Sequence, residues 1–379
     1  MSVPTARSLF FELIKIALGN KTELSKAPSA KEWYCIYNES GKQAIAGVVF
    51  EGVKKLPDTQ RPPQDLLFEW IGLSEQIRHQ NKVVDKQTAE IWSQLKKDGL
   101  EAAILKGQGV ATLYGELATF RQSGDIDIWV KGGYKKVCDY VQKTLPTEDL
   151  AYHRFYYDYF EDTEVELHYR PTLMSNLIDD RKLARWYNSF GAESFVYLED
   201  KGFAVPSLEF NRIFILTHIY RHFLFGGIGL RQVIDYYFVL RAQNDGRCKM
   251  EDVRKTLSEL RLIRFAEAMM WILHTQFGLE EKYLICGMNE KEGRFVLGEI
   301  EQTGNFGRGE TRYKYQHLLK LRKLFAHGSH LLLHYPSEVI WTPIWLVYHK
   351  VWKWRRKREI RERRLWKSRA CLTPEGKRC

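Results

Sequence analysis

The chain has 379 residues and a formal net charge of +11. Hydrophobic residues make up 44% of it, charged residues 28% and aromatics 13%, which excludes global disorder and suits two or three globular domains. Six scattered cysteines with no Cys-x-x-Cys argue against a zinc ribbon or redox pair and for a reduced, cytoplasmic protein.

The opening segment does not read as a secretory signal, because Glu12 and Lys15 interrupt its apolar residues. No apolar run approaches the roughly 20 residues of a membrane span. Residues 7–18 have helical spacing through Leu9, Phe10, Leu13, Ile14 and Ala17, with Gly19-Asn20 as the stop. A short helix is expected near 42–55, ended by Pro57. Pro63 suits the start of a long helix from Gln64 to about Lys97. Residues 1–97 are therefore predicted to be a helical N-terminal region.

Beyond the Asp98-Gly99 turn the periodicity changes. Leu100–Leu105 reads as a buried strand ended by Lys106-Gly107, and Gln108–Leu117 as a helix. After a loop at 118–124, Asp125–Val130 (DIDIWV) alternates with period two and predicts a strand. A helix is expected at 134–144, then a tyrosine-rich strand at 152–160 and an alternating strand at 163–169 (TEVELHY), with a turn at Glu161-Asp162. The expected core, residues 98–172, is strand, helix, strand, helix, strand, strand. From 173 to 340 the pattern is helical, with segments at 208–224, 230–241, 251–277 and 313–333 and a loop at 303–312. Gly226-Gly227-Ile228-Gly229 follows a helix rather than a strand, so it reads as a helix–helix turn and not a dinucleotide fingerprint.

The chemistry concentrates in the core. Asp125 and Asp127 are two apart on a strand, so their carboxylates share a face while Ile126, Ile128 and Val130 take the other. Two such carboxylates repel unless a cation lies between them, and Mg²⁺ suits oxygen ligands combined with substrate phosphates. Gly107 marks a close backbone approach, and a helix start beyond it offers free N–H groups to a triphosphate, with Lys106 as an added point charge. Glu166 needs only a strand beside that of Asp127 to complete a site for in-line displacement with two metal ions. The plainer alternatives are a solvated Asp-x-Asp edge, a solvated Lys106, and an Arg121 that pairs with Asp125 or Asp127. His168 shares a face with Glu166, and a solvated or structural role is its plainer reading.

Leu105-Lys106-Gly107, Tyr114, Arg121, Asp125-Ile126-Asp127 and Glu166-Leu167-His168 together resemble the polymerase-beta-like nucleotidyltransferase superfamily. Within it they look most like a poorly characterised bacterial nucleotidyltransferase family that carries Lys-Gly in place of the usual Gly-Ser. The core match covers about 70 residues, and a looser one extends through His218, His222, Arg231 and Asp235. The resemblance implies an α+β fold: a small mixed nucleotidyltransferase sheet with flanking helices, embedded in a mostly helical chain. It implies Asp125, Asp127 and Glu166 as catalytic metal ligands, two Mg²⁺ ions (or Mn²⁺), and Lys106, Gly107, Gln108 and Arg121 at the phosphates of an NTP such as ATP. The implied reaction moves an NMP from Mg-NTP to an unidentified hydroxyl acceptor. The alternatives are a non-catalytic nucleotide- or membrane-surface-binding protein that retains the fold, and phosphoryl rather than nucleotidyl transfer. His218 and His222, four apart, suit an inter-helix hydrogen-bonding pair, and Arg231 and Asp235 an ordinary helical ion pair.

The basicity is local. Eleven Lys/Arg and two Glu between Lys350 and Arg369 carry +9 of the net charge. Residues 341–379 form a basic amphipathic tail in which Ile344, Trp345, Tyr348, Val351 and Trp352 recur at helical spacing. A helix packed on its own domain is the plainest reading, with an anionic membrane surface or nucleic acid (through 341–369) as alternatives. The former would place the protein at the inner face of a membrane.

Overall fold

The computed structural model describes residues 5–242, 250–309 and 330–370. Thr5 accepts a hydrogen bond from the Ser8 amide and starts α1 (Ala6–Ala17), whose buried face holds Leu9, Leu13 and Ile16. Ser29 and Glu32 form a reciprocal capping box that opens α2 (Ala30–Lys42), a helix the apolar pattern did not announce. Its buried stripe is only Trp33, Ile36 and Ser40, too narrow to stand out among polar neighbours. Then come α3 (Ala46–Lys54) and the long α4 (Gln64–Lys97), both near their expected places.

A mixed four-stranded sheet follows: β1 (Ala102–Ile104), β2 (Ile126–Val130), β3 (Arg154–Tyr156) and β4 (Val165–His168), in the order β1-β2-β4-β3. The β2–β4 pair is parallel and the other two are antiparallel. Its back face (Ile126, Ile128, Phe155, Val165, Leu167) packs with Val137, Cys138 and Val141 of α6 (Gly133–Thr144) into one apolar cluster. Between β1 and β2 the expected helix at 108–117 is cut to α5 (Gln108–Ala111) and a 3-10 turn over Gly115–Phe120. Gly115, at φ +57°, takes the left-handed conformation that ends regular helix there.

α7 (Leu177–Asn188) leads to a β5–β6 hairpin (Phe195–Leu198 and Phe203–Pro206), a pairing inside a stretch read as helical. The hairpin's strand face at Val196 and Tyr197 is exposed, so no apolar alternation marks it. α8 (Leu208–Phe225) is buried on nearly every side, as an all-round apolar helix must be. Phe210 near its start stacks on Trp129 of β2, with ring centroids 4.8 Å apart. That contact seats α8 against the front face of the sheet. The glycines at 226–229 form the turn into α9 (Leu230–Arg241). α10 (Met250–Glu259), α11 (Ile263–Phe277) and α12 (Glu290–Thr303) complete the described helical layer. The helix expected at 313–333 lies largely outside the described residues.

The basic segment forms α13 (Pro336–Ala370). Glu338 in its first turn accepts the Ser175 and Asn176 amides at 2.7 and 3.2 Å. Ile360 is fully buried, Arg356 lies 4.2 Å over the Tyr134 ring, and Trp352 meets Tyr152 edge-on. Arg361 and Arg363 pair with Glu148 and Asp139 at 2.7 and 3.0 Å. One side of the tail is thus docked on α6 and the loop after it, while Ile344, Val347 and Trp354 face outward. No helix among the described residues is long and apolar enough to cross a membrane.

Candidate active site

Strand register builds the site. Asp127 on β2 is the direct partner of Glu166 on β4, and Trp129 that of His168. Across the next pair, Glu166 faces Tyr156 and His168 faces Arg154. Alternation then puts Asp127, Glu166, His168, Arg154 and Tyr156 on the front face, beneath α8.

Three of these side chains converge. His168 Nε2 lies 2.8 Å from Asp127 Oδ1 and 3.2 Å from Glu166 Oε2. One ligand atom from each of the three lies within 4.8 Å of the others, close enough to share one metal ion. Far from being solvated, His168 is 2% exposed. Asp125, just ahead of β2, is outside this triad, with its side chain 32% exposed. It joins through Lys106, whose Nζ lies 3.2 Å from Asp125 Oδ2 and 2.7 Å from Asp127 Oδ2. Arg154 closes the other side, 2.8 Å from Glu166 Oε2.

Burial governs the protonation of these groups. It pushes Glu166 up to about 7, helped by the neighbouring charge of Asp127. Burial acts the same way on Asp127, but Lys106 and His168 outweigh it and hold that carboxyl well below its usual range. For His168, burial is outweighed by hydrogen bonds to Asp127 and Glu166, which raise it above the ordinary imidazole value.

A divalent cation fits this donor set. Asp127 Oδ2 is buried, and its partner among the described residues is the Lys106 ammonium group at 2.7 Å. That leaves a lone pair free beside a second carboxylate and an imidazole.

The four expected phosphate ligands are placed differently from one another. Lys106 and Gly107 line a cleft with Asp125, His218, Arg231 and Phe306. Gly107 has φ +57°, and a Cβ there would stand 3.4 Å from the Asp125 carbonyl oxygen, so a side chain would strain the turn. The helix beyond it is only four residues long, and the Gln108 amide donates to Asp85 of α4 at 2.5 Å. Arg121 lines the same cleft but gives both arms of its fork to Asp235, at 2.7 and 2.8 Å, where the Tyr114 hydroxyl also donates at 2.6 Å. It pairs with neither Asp125 nor Asp127, so its observed role is to tie the loop before β2 to α9. With Asp235 so engaged, the expected Arg231–Asp235 pair does not form, and Arg231 donates instead to the Gln122 carbonyl at 2.9 Å.

His218 and His222 project from α8 with rings 4.5 Å apart and no hydrogen bond among the described residues, in place of the expected bonded pair. Burial first, then surrounding cations that include Lys106, keep both well below the usual imidazole value. Sequence reasoning missed His153, Arg154 and Arg221. Arg154 sits on a recognisable strand, but nothing local marks its pairing with Glu166.

A solved structure titled as an antigenic nucleotidyltransferase-like protein from Paracoccidioides brasiliensis is similar over 54% of this chain and 93% of its own, at 12% identity and a TM-score of 0.34. No curated protein matches the chain. The family described as uncharacterised nucleotidyltransferase matches residues 29–278, which include α2 to α11 and the whole sheet. By that match over well more than half its length, the chain belongs to this nucleotidyltransferase family.

Proposed function

We propose that the protein transfers a nucleoside monophosphate from Mg-NTP to a hydroxyl acceptor and releases pyrophosphate. The observation that carries this reading is the register pair Asp127–Glu166, with carboxylates meeting at one imidazole beside the lysine of the Gly107 turn. In this reading the catalytic unit is residues 98–172, in the Lys-Gly variant of the superfamily site, and α8 and α9 close over it.

Asp125, Asp127 and Glu166 would hold two Mg²⁺ ions, or Mn²⁺, which would supply charge neutralisation at the phosphates and a more acidic acceptor hydroxyl. Lys106 moves from the aspartates to the triphosphate when the carboxylates are otherwise neutralised. Gly107 lets the backbone come within reach of the phosphates. Arg121, tied to Asp235, holds the loop that carries Asp125. The acceptor oxygen bonds to the α-phosphorus, the bond to the bridging oxygen of the β-phosphate breaks, and pyrophosphate leaves with that electron pair. The hydroxyl proton passes to water.

Isothermal titration of the full chain with each Mg-NTP, followed by product analysis with α- and γ-labelled nucleotide, tests the reading. Label from the α position in the acceptor, lost in Asp127→Ala, is expected. Transfer of the γ label would replace the reading with phosphoryl transfer. Absence of nucleotide binding would sink it.

A further inference from the structure

A second charged cluster adjoins the carboxylates and shares Arg154 with them. Arg221 on α8 places NH1 3.2 Å from His153 Nε2, and Arg154 places its own NH1 3.5 Å from the same nitrogen. Two guanidinium groups thus converge on one imidazole that is 1% exposed and whose Nδ1 is buried without a hydrogen-bond partner. His153 is kept neutral by burial, then by the charges of Arg221, His168 and Arg154. The His153 and His168 rings are 5.2 Å apart, so this cluster adjoins the carboxylates directly.

The neighbouring cations are already matched. Arg154 pairs with Glu166 and also donates to the Tyr156 hydroxyl at 2.9 Å, and Arg170 pairs with Asp180. Arg221 has no carboxylate within ion-pair distance among the described residues, yet part of its surface remains open. Burial and the charge of Arg154 pull its guanidinium down to about 10. Glu166 and Asp180 offset part of this from beyond contact distance, but a desolvated cation with no direct ion-pair partner is costly to keep, and a guanidinium fork is well shaped for phosphate.

Its position says which substrate it faces. Lys106 follows β1 at one edge of the sheet and Arg154 lies on β3 at the other, with the carboxylates on β2 and β4 between them. Lys106 reaches the carboxylates at Asp127 from the one edge, and Arg154 reaches them at Glu166 from the other. In an in-line displacement the leaving pyrophosphate and the attacking hydroxyl lie on opposite sides of the phosphorus. With the triphosphate at Lys106–Gly107, the Arg154–Arg221 side belongs to the acceptor.

We propose that Arg221 and Arg154, meeting on His153, bind a phosphate group of the acceptor, so that the hydroxyl receiving the nucleotide is carried by a phosphorylated molecule. This rests on the nucleotidyl-transfer reading, which a separate arm of the experiment checks. The full chain is saturated with Mg²⁺ and each non-hydrolysable α,β-methylene NTP in turn, and inorganic phosphate is then titrated calorimetrically. Arg221→Gln should bind nucleotide within about twofold of the parent but phosphate at least roughly tenfold more weakly, with Arg221→Lys between them. Thermal melting confirms that each variant is folded, and Arg221→Lys, which keeps the charge but not the fork, provides a second route should Arg221→Gln fail to fold. Equal weakening of nucleotide and phosphate would overturn the proposal by moving the arginines to the triphosphate. Unchanged phosphate binding would overturn it outright. If the parent binds phosphate but no nucleotide, the proposed function fails and the acceptor assignment fails with it. Glycerol phosphate and a short oligonucleotide then compete with phosphate. Competition by either supports the proposal and tells a small acceptor from a strand, and competition by neither overturns it.

Discussion

The two faces of the four-stranded sheet use the same strands for opposite ends. Behind, Ile128, Phe155 and Leu167 are completely buried against α6 with no charge among them. In front, Asp127, Glu166 and His168 are almost as deeply buried beneath α8, with Lys106 and Arg154 bound to them. Apolar burial stabilises by roughly 25 cal/mol per Å² of area removed from water. Burial of ionised groups is often close to neutral even when they are paired. One face therefore holds the sheet together, and the other is retained at the expense of stability, the usual mark of a working site.

Substitutions can break that division of labour. The largest effect is expected in front. Asp127→Asn should lower nucleotidyl transfer per folded molecule by about 10³-fold or more, because it removes a charge facing the reacting phosphate, and should lower the melting temperature as well, because it strips a buried partner from Lys106 and His168. Parallel assays of turnover per folded molecule and thermal melting check it, and a variant that keeps its turnover once folded would remove Asp127 from the reacting centre. Behind, Leu167→Ala should cost about 2–5 kcal/mol, read by denaturant titration, with activity per folded molecule preserved. A matching loss of activity in the folded fraction would mean that the two faces are not independent.

A pH series sharpens the contrast further. The folded chain holds Glu166 near 7 against an ordinary 4.5, so its contribution to stability is fully present below about pH 4.5 and is lost as pH rises through 7. His168 is also raised, so its contribution is likewise lost on going alkaline. His153, His218 and His222, held below the imidazole value, act in the opposite sense only below about pH 6.5, so from there to pH 8 the metal-free protein should lose stability, and Glu166→Gln should flatten that slope. A slope unchanged by the substitution would assign the effect elsewhere. The smallest effect is expected at the exposed ion pairs of α13. Arg361→Ala should leave the melting temperature within experimental scatter, since solvent already screens its pair with Glu148. A clear drop would show that the tail is held by its charges and not by Ile360 and Trp352.

What the sequence made legible was short-range. Asp125-Ile126-Asp127 and Val165-Glu166-Leu167-His168 show strand alternation within a few residues, and the sheet's mixed character was implied by the resemblance to the nucleotidyltransferase superfamily. The helix α2 went unpredicted, because three buried residues spread over two turns are a faint periodic signal. The partners of Arg121 and Arg221 were not legible at all. Asp235 lies 114 positions from Arg121, and His153 lies 68 from Arg221, so no local rule connects them. The docking of α13 has the same cause, since its arginines meet acidic residues more than 200 positions upstream. For α13, packing on its own domain, the plainest of the three readings of the basic tail, describes one of its sides.

Lys106 reaches both aspartates and so acts as a built-in counter-ion. Proteins whose clustered acids rely wholly on an external ion tend to unravel when that ion is stripped away. Here the ammonium group can hold the acids together with no ion bound. Under the proposed function, chelators should therefore silence this protein without melting it.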